Sequence, residues 1–363
     1  MRRLTVVFGM PSKRAAAVKL PASVTRAKIM ISLRSIIVAC DGTMFPNCRP
    51  LWFNMTGLTF APSVTTRSRQ MSNTRSVLVT GATGQQGGAV VRALIARGHR
   101  IRAISRKPDS DGAKRLAAAG VEVVAGDLND GASVIEAARG VDTMFLMGSS
   151  YEAGTEAETR QGITVADAAK AAGIGHLIYS SVADADKNTG IPHFDSKYLV
   201  EMHVAGLGIP YTISAPVAFM ENTVAPWAID GLRQDVYAAA LPSARVLQQI
   251  TIDDIGAFIA ALAERREQVF GKRFDIAGDE LSGEQQVKIL SEALGRPITY
   301  RELPIAAIRQ QSEDTALMFE WFDRTGYDAD IAALRRDFPD VGWHSYADWA
   351  KGFDCSVLSK PAG

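Results

Sequence analysis

The sequence predicts an α/β protein: a doubly wound parallel Rossmann-type sheet with a smaller α+β C-terminal substrate domain. Three observations predict it. Ser76-Val-Leu-Val-Thr-Gly-Ala-Thr-Gly-Gln-Gln-Gly-Gly88 reads as a short buried strand, a glycine turn and the first turn of a helix. Strand and helix patterns then alternate as far as residue 215, the signature of βαβ units. The first strand is a compact run of Val and Leu, which suits a sheet covered on both faces.

The glycine turn comes first. Gly81, Gly84 and Gly87 give the spacing G-x-x-G-x-x-G. Such a turn lets backbone N–H groups approach a pyrophosphate with no Cβ in the way, and the helix behind it points its positive end at the anion. Glycine patterns are common in loops, so the flanks decide. Val77, Leu78 and Val79 form the strand; Val90, Val91, Leu94 and Ile95 share one helix face; Gly98-His99 ends that helix. Arg100–Ser105 follows as the second strand. The expected dinucleotide contacts are Gly81, Thr83, Gly84, Gln85, Gln86 and Gly87. The competing reading gives the glycines only a role in close helix–strand packing.

The end of the second strand bears on which dinucleotide. An acid there holds the ribose 2′-hydroxyl of NAD, whereas an Arg accommodates the 2′-phosphate of NADP. This strand ends in Ser105-Arg106-Lys107, with no acid before Asp109. Arg106 and Lys107 favour NADP(H) over NAD(H), unless they are ordinary solvated loop charges.

The alternation continues with strands at Val121–Ala125, Val141–Met147, His176–Ser181 and near Tyr211–Ser214, and a long Ala-rich helix over about Ala157–Ala172. Ligands of such sheets bind at the carboxyl ends of the strands. Asp127 and Leu128 lie at one such end. The Asp127 carboxylate either accepts from an adenine amino group or caps the next helix. Beyond 215 the chain is mixed: helices at about Ile252–Arg265 and Glu284–Leu294, the latter opened by Ser282, and strands at Phe274–Ala277 and Ile298–Glu302. Phe219, Met220, Trp227, Met318, Trp321 and Phe322 supply either an apolar pocket wall or core.

The collinear set of Val79–Gly88, Gly126-Asp-Leu-Asn-Asp130, Ala168–Gly173 with His176–Val182, His193-Phe-Asp-Ser-Lys197 and Phe219-Met-Glu-Asn222 resembles the NmrA-like family. That is an atypical branch of the short-chain dehydrogenase/reductases, and the likeness runs from about residue 75 to at least 305. It implies a Rossmann-type NAD(P)-binding domain over 75–215, a mainly cleft-forming C-terminal domain over 216–363, and NADP(H). Members divide between NADPH-dependent reductases and dinucleotide-sensing regulators without turnover. Ordinary short-chain reductases carry Tyr-x-x-x-Lys on the helix after the fifth strand. The resemblance puts Lys197 at the lysine, to hold the nicotinamide ribose, and His193 at the tyrosine. His193 either donates a proton in the tyrosine's place, lines the substrate pocket, or sits in a surface loop without a role. Pro192 and Asp195 predict that the helix begins near 195, leaving His193 in the entering loop. Ser181 either orients a substrate carbonyl or caps the turn after its strand. Relatives often read Arg-Pro after the sixth strand, where this chain has Ser214-Ala-Pro216, so a charged contact is missing there.

Charge and composition bound the rest. The 363 residues carry a net +1, yet residues 1–74 hold 11 Lys and Arg against the single acid Asp41, leaving −9 on the remainder. An acidic body argues against nucleic-acid binding. The most apolar early run, Ile29–Ala39, is short and broken by Arg34, so no membrane span is expected. Of three cysteines, Cys40 and Cys48 lie in the basic extension and Cys355 alone in the body, which fits a reducing compartment. The extension is read as a disordered tail, as sequence upstream of a natural start at Met71, or as an organelle-targeting segment. The expected location is cytoplasmic, with organelle import through 1–74 as the alternative. No Cys/His cluster has metal-ligand spacing, so no metal is expected. Two functions emerge: an NADPH-dependent reductase of quinone-like or other conjugated small-molecule acceptors, or a non-catalytic redox sensor acting on a regulatory protein partner. Oligomeric state is not encoded legibly.

Overall fold

Val77, Leu78 and Val79 are sealed from solvent, and β1 (Ser76–Val79), the strand they form, lies inside a seven-stranded sheet. The computed structural model describes residues 74–149, 154–353 and Leu358. The basic extension with Cys40 and Cys48, and also Cys355, lie outside the described residues. From β1 the chain runs through α1 (Gln85–Ala96), β2 (Arg100–Ser105), α2 (Asp111–Ala118), β3 (Glu122–Ala125), α3 (Gly131–Ala138), β4 (Thr143–Met147), α4 (Thr155–Ala171), β5 (His176–Ser180), α5 (Pro192–Gly206) and β6 (Tyr211–Pro216). It continues with β7 (Ala218–Phe219), α6 (Ile229–Arg233), β8 (Val236–Ala239), β9 (Val246–Ile250), α7 (Ile252–Val269), β10 (Lys272–Ile276), β11 (Asp279–Ser282) and α8 (Gly283–Leu294). Last come β12 (Thr299–Glu302), α9 (Ile305–Gln311), α10 (Glu313–Arg324), α11 (Ile331–Asp337) and α12 (Tyr346–Gly352).

The main sheet has the order β10-β6-β5-β4-β1-β2-β3, and every pairing in it is parallel. The chain builds outward from β1 to β3, then crosses to the other side of β1 at β4. This reversal leaves a crevice at the carboxyl ends of β1 and β4, where such sheets take their ligands. The expected doubly wound sheet is therefore present.

Two elements from beyond residue 216 return to it. β10 pairs with β6 at the sheet edge, and α7 lies against α1. Their contact is close because Gly256 has no side chain: a Cβ there would sit 2.5 Å from the Ala89 carbonyl oxygen. Phe258, fully buried on α7, meets the rings of Phe338, Phe274 and Trp343 at 4.8, 5.6 and 5.8 Å. Truncating such a side chain costs about 3–5 kcal/mol. On the other face α4 packs on α5, with Gly162 opposite Val200.

The remaining C-terminal elements form a smaller α+β layer. β11, β9 and β7 make one small sheet, and β12 pairs with β8. Met220, Leu232, Leu281, Leu290, Ile298 and Tyr346 fill a separate core there. α8 is fixed at its start by a reciprocal capping box between Ser282 and Gln285 and at its end by Gly295 in the left-handed region.

Candidate active site

The site grows from the turn between β1 and α1. Gly81 has φ 63°, and a Cβ there would fall 2.8 Å from Met147 Sδ at the end of β4. Gly87 is tighter: its Cβ would lie 2.2 Å from the Gly81 carbonyl oxygen, so the helix can start this close to the turn only on glycine. Thr80 ties the two strands at the switch point. Its hydroxyl donates to the Met147 carbonyl at 3.1 Å and accepts from the Met147 N–H at 2.9 Å.

Gly84 is the N-cap of α1, so no side chain caps this helix and no acid lies in its first turn. Thr83, Gly84 and Gln85 are exposed there. Backbone donors left open on a 12-residue helix at a sheet's switch point fit a pyrophosphate. Gln86 and Gly87 instead face inward. Gln86 Nε2 donates to Ser180 Oγ at 2.6 Å, which locks α1 to the end of β5.

Arg106 and Lys107 are exposed just past β2, and Ser105 Oγ accepts from the Lys107 N–H at 3.1 Å. Asp127 follows β3. Its Oδ1 accepts from the backbone and the side chain of Asn129 at 2.9 and 2.8 Å. These bonds, with Arg106 nearby, hold its carboxyl below the ordinary 3.8. The cap of α3 is Asp130, accepting from the Ala132 N–H at 3.0 Å. Of the two roles open to Asp127, capping is thus taken by its neighbour. Leu128 packs along the core edge under this strand end.

On α5, Lys197 has a partner that the sequence did not suggest. Its Nζ donates to Glu158 Oε1, and Ser196 Oγ donates to Glu158 Oε2 at 3.0 Å. The Glu158 side chain is 1% exposed and that of Lys197 14%. Room for the carboxylate exists because Gly148, just past β4, lacks a Cβ; one there would lie 3.0 Å from Glu158 Cγ. Nothing local marks Glu158 as functional in an Ala-rich helix. Ser181 is buried beside Glu201, whose carboxyl is pushed up by burial against the pull of Arg273. Its hydroxyl has no hydrogen-bond partner of proper geometry, and Ser180 is the serine that reaches the glycine turn.

His193 requires a correction. It lies within α5, which begins at Pro192 rather than near 195. Proline at the first helical position loses no hydrogen bond, because that N–H has no partner in any helix. Asp195 is therefore a first-turn acid of a helix already under way. The His193 N–H donates to Asp314 Oδ1 at 3.2 Å, and its ring Nδ1 lies 2.7 Å from Asp314 Oδ2. Asp314 comes from the first turn of α10, where an acid after Ser312 reads simply as a favourable helix start.

The six candidate wall residues separate. Trp321 and Phe322 are buried with Phe194 and Leu241, and Met318 packs on them. Met220 belongs to the small-layer core, Phe219 to the main core, and Trp227 is 76% exposed. Among the described residues no His, Cys, Asp and Glu group is arranged for a metal, and no helix is long and apolar enough to cross a membrane.

The NmrA-like family profile matches residues 73–356. The chain belongs to that family. It is 33% identical over 292 residues, 76% of this chain and 96% of the relative, to a (4-alkanoyl-5-oxo-2,5-dihydrofuran-3-yl)methyl phosphate reductase of Streptomyces griseus. It is 31% identical over 230 residues, 62% of this chain and 77% of the relative, to quinone oxidoreductase 2 of Escherichia coli. The crystal structure of that oxidoreductase with NADPH superposes with a TM-score of 0.63 at 28% identity, over 76% of this chain and 99% of that one. The negative transcriptional regulator NmrA, solved with NADP, shares the fold at 24% identity and a TM-score of 0.65, over 77% and 95% of the two chains.

Proposed function

We propose that this chain binds NADP(H) and reduces quinone-like or other conjugated small-molecule acceptors. The observation that carries the reading is the start of α1, which no side chain caps, beside the close glycine turn of Gly81 and Gly87 at the switch point. Gly81, Thr83, Gly84 and Gln85 hold the pyrophosphate through backbone donors, while Gln86 and Gly87 shape the turn. Arg106, with Lys107, meets the 2′-phosphate, and Asp127 and Leu128 border the adenine. Lys197, on the helix that follows β5, holds the ribose beside nicotinamide. When bound, reduced dinucleotide supplies a hydride. The acceptor class draws support from the relatives: one is a quinone oxidoreductase, and the 5-oxo-2,5-dihydrofuran of the other is itself a conjugated carbonyl.

A second reading has an observation in its favour. Lys197 is held by a buried carboxylate, and His193 stands where the tyrosine would. Both suit a protein that registers the dinucleotide and reports it to a partner without turnover, as befits the fold it shares with a transcriptional regulator. NADPH oxidation, followed by absorbance with a panel of quinones and triarylmethane dyes, separates the two. NADP+ and NADPH titrations on the same sample establish that the site is intact. Turnover supports the reductase; tight binding with no turnover on any acceptor overturns it in favour of the sensor.

A further inference from the structure

We infer that Asp314, on the C-terminal layer, orients His193 so that its Nε2–H is the proton donor of the reduction. The inference rests on the reductase reading and assigns that site an acid. α5 follows β5, so its first turns stand at the carboxyl edge of the sheet, the edge that carries the glycine turn. His193 and Lys197 are four residues apart there and share a helix face.

The pairing with Asp314 is two-pronged. One carboxylate oxygen takes the His193 backbone N–H at 3.2 Å, and the other faces ring Nδ1 at 2.7 Å. A carboxylate can only accept, so Nδ1 carries the hydrogen. Nε2 is thereby the nitrogen free to take and give a proton. It has no hydrogen-bond partner among the described residues, and the ring is 12% exposed. The edge of Phe194, with ring centroids 4.9 Å apart, limits how the imidazole can turn. A latch between the two layers would need only the backbone contact; the second contact fixes the ring.

The chemistry balances. A conjugated acceptor that has gained a hydride is an anion, and the imidazolium Nε2–H bond breaks as a new O–H or C–H bond forms. The neutral ring then regains a proton at Nε2 from solvent, while the Asp314 carboxylate keeps Nδ1–H in place. Asp314 acts through His193 and is a positioning residue.

The test uses the full chain with NADPH and a quinone that it turns over. H193Q should lower kcat about 100-fold and D314N about tenfold, with the NADPH Kd within about twofold of wild type in both. D314N retains an oxygen for the backbone N–H, and D314E should restore part of kcat. Nitrogen NMR of labelled histidine in the cofactor-free protein reads the tautomer directly: His193 should carry hydrogen on Nδ1 in wild type and lose that preference in D314N. Unchanged kcat in H193Q with turnover intact overturns the inference and leaves the reductase reading standing. A wild-type protein that binds NADPH but reduces no acceptor overturns both. A D314N protein with altered KM or melting temperature but wild-type kcat and tautomer reduces the pair to a latch, which also overturns it.

Discussion

Lys197 on α5 donates to Glu158 on α4, a carboxylate that is 1% exposed and also accepts from Ser196. The two ends of this pair are not equivalent. Removing the lysine strands a buried carboxylate, whereas removing the acid leaves an ammonium with some route to water. K197M should therefore cost about 3–5 kcal/mol and E158Q clearly less, with the double substitution recovering part of the loss. Denaturant unfolding of the four proteins measures this, and strictly additive effects would contradict it. NADPH affinity should survive in E158Q and fall in K197M if Lys197 is the ribose donor proposed above, because only the second substitution removes it.

The glycine turn makes a sharper forecast, because two of its glycines differ in what surrounds them. A Cβ on Gly87 would meet backbone at 2.2 Å, whereas one on Gly84 would come no closer than 3.3 Å to the Gly81 oxygen. The backbone around Gly87 cannot yield without moving α1 away from the crevice. G87A should destabilise by about 1–3 kcal/mol and abolish measurable NADPH binding, while G84A should cost clearly less. Thermal unfolding with a parallel dinucleotide titration distinguishes them. Equal behaviour of the two variants would show that the turn is slack.

Arg106 sits past β2 at the edge of the Asp127 carboxylate, whose proton it helps to repel. If its second task is the 2′-phosphate, R106A should weaken NADPH by about 10–100-fold, the worth of a charge-assisted hydrogen bond. NADH, which has no phosphate there, should bind as before. Loss of affinity for both dinucleotides in equal measure would assign Arg106 to local structure instead.

The sequence made the nucleotide half legible because its elements are short and punctuated. Val77–Val79, the glycines at 81, 84 and 87, and Gly98 mark strand, turn and helix end without help from the rest of the chain. What stayed hidden depends on contacts far apart in sequence. Glu158 and Lys197 are brought together by helix packing, and His193 meets Asp314 from an element more than a hundred residues on. Pro192 misled because proline both stops helices and starts them, and only the following turn tells which. α2 is not legible in the sequence although Ser110 caps it and Asp111 opens it, since two turns carry too few apolar residues to show a period. β7, β8 and β11 are two to four residues long and draw their strand character from their partners.

Glu221 in the Phe219-Met-Glu-Asn222 segment gives the fold a pH dependence of its own. Both carboxylate oxygens lie within reach of the Ile252 N–H, at 3.1 and 3.2 Å, at the start of α7. Burial pushes this carboxyl from 4.5 up to about 7, with Asp253 and Asp254 adding to the rise and the hydrogen bonds opposing it. A carboxyl whose pKa is higher folded than unfolded favours the fold while protonated. Its contribution is complete below 4.5 and is lost as pH climbs to about 7. At about 1.4 kcal/mol per unit, ionised Glu221 costs about 3 kcal/mol on the alkaline side of that window. E221Q keeps an oxygen for the Ile252 N–H and cannot ionise. Its stability relative to wild type should therefore improve by about 2.5 kcal/mol between about pH 5 and about pH 8. Urea unfolding of both proteins across that range reads the difference directly, since other titrating groups are common to the pair. A stability difference that stays flat with pH would mean that Glu221 is ionised at its ordinary value and that water reaches the start of α7.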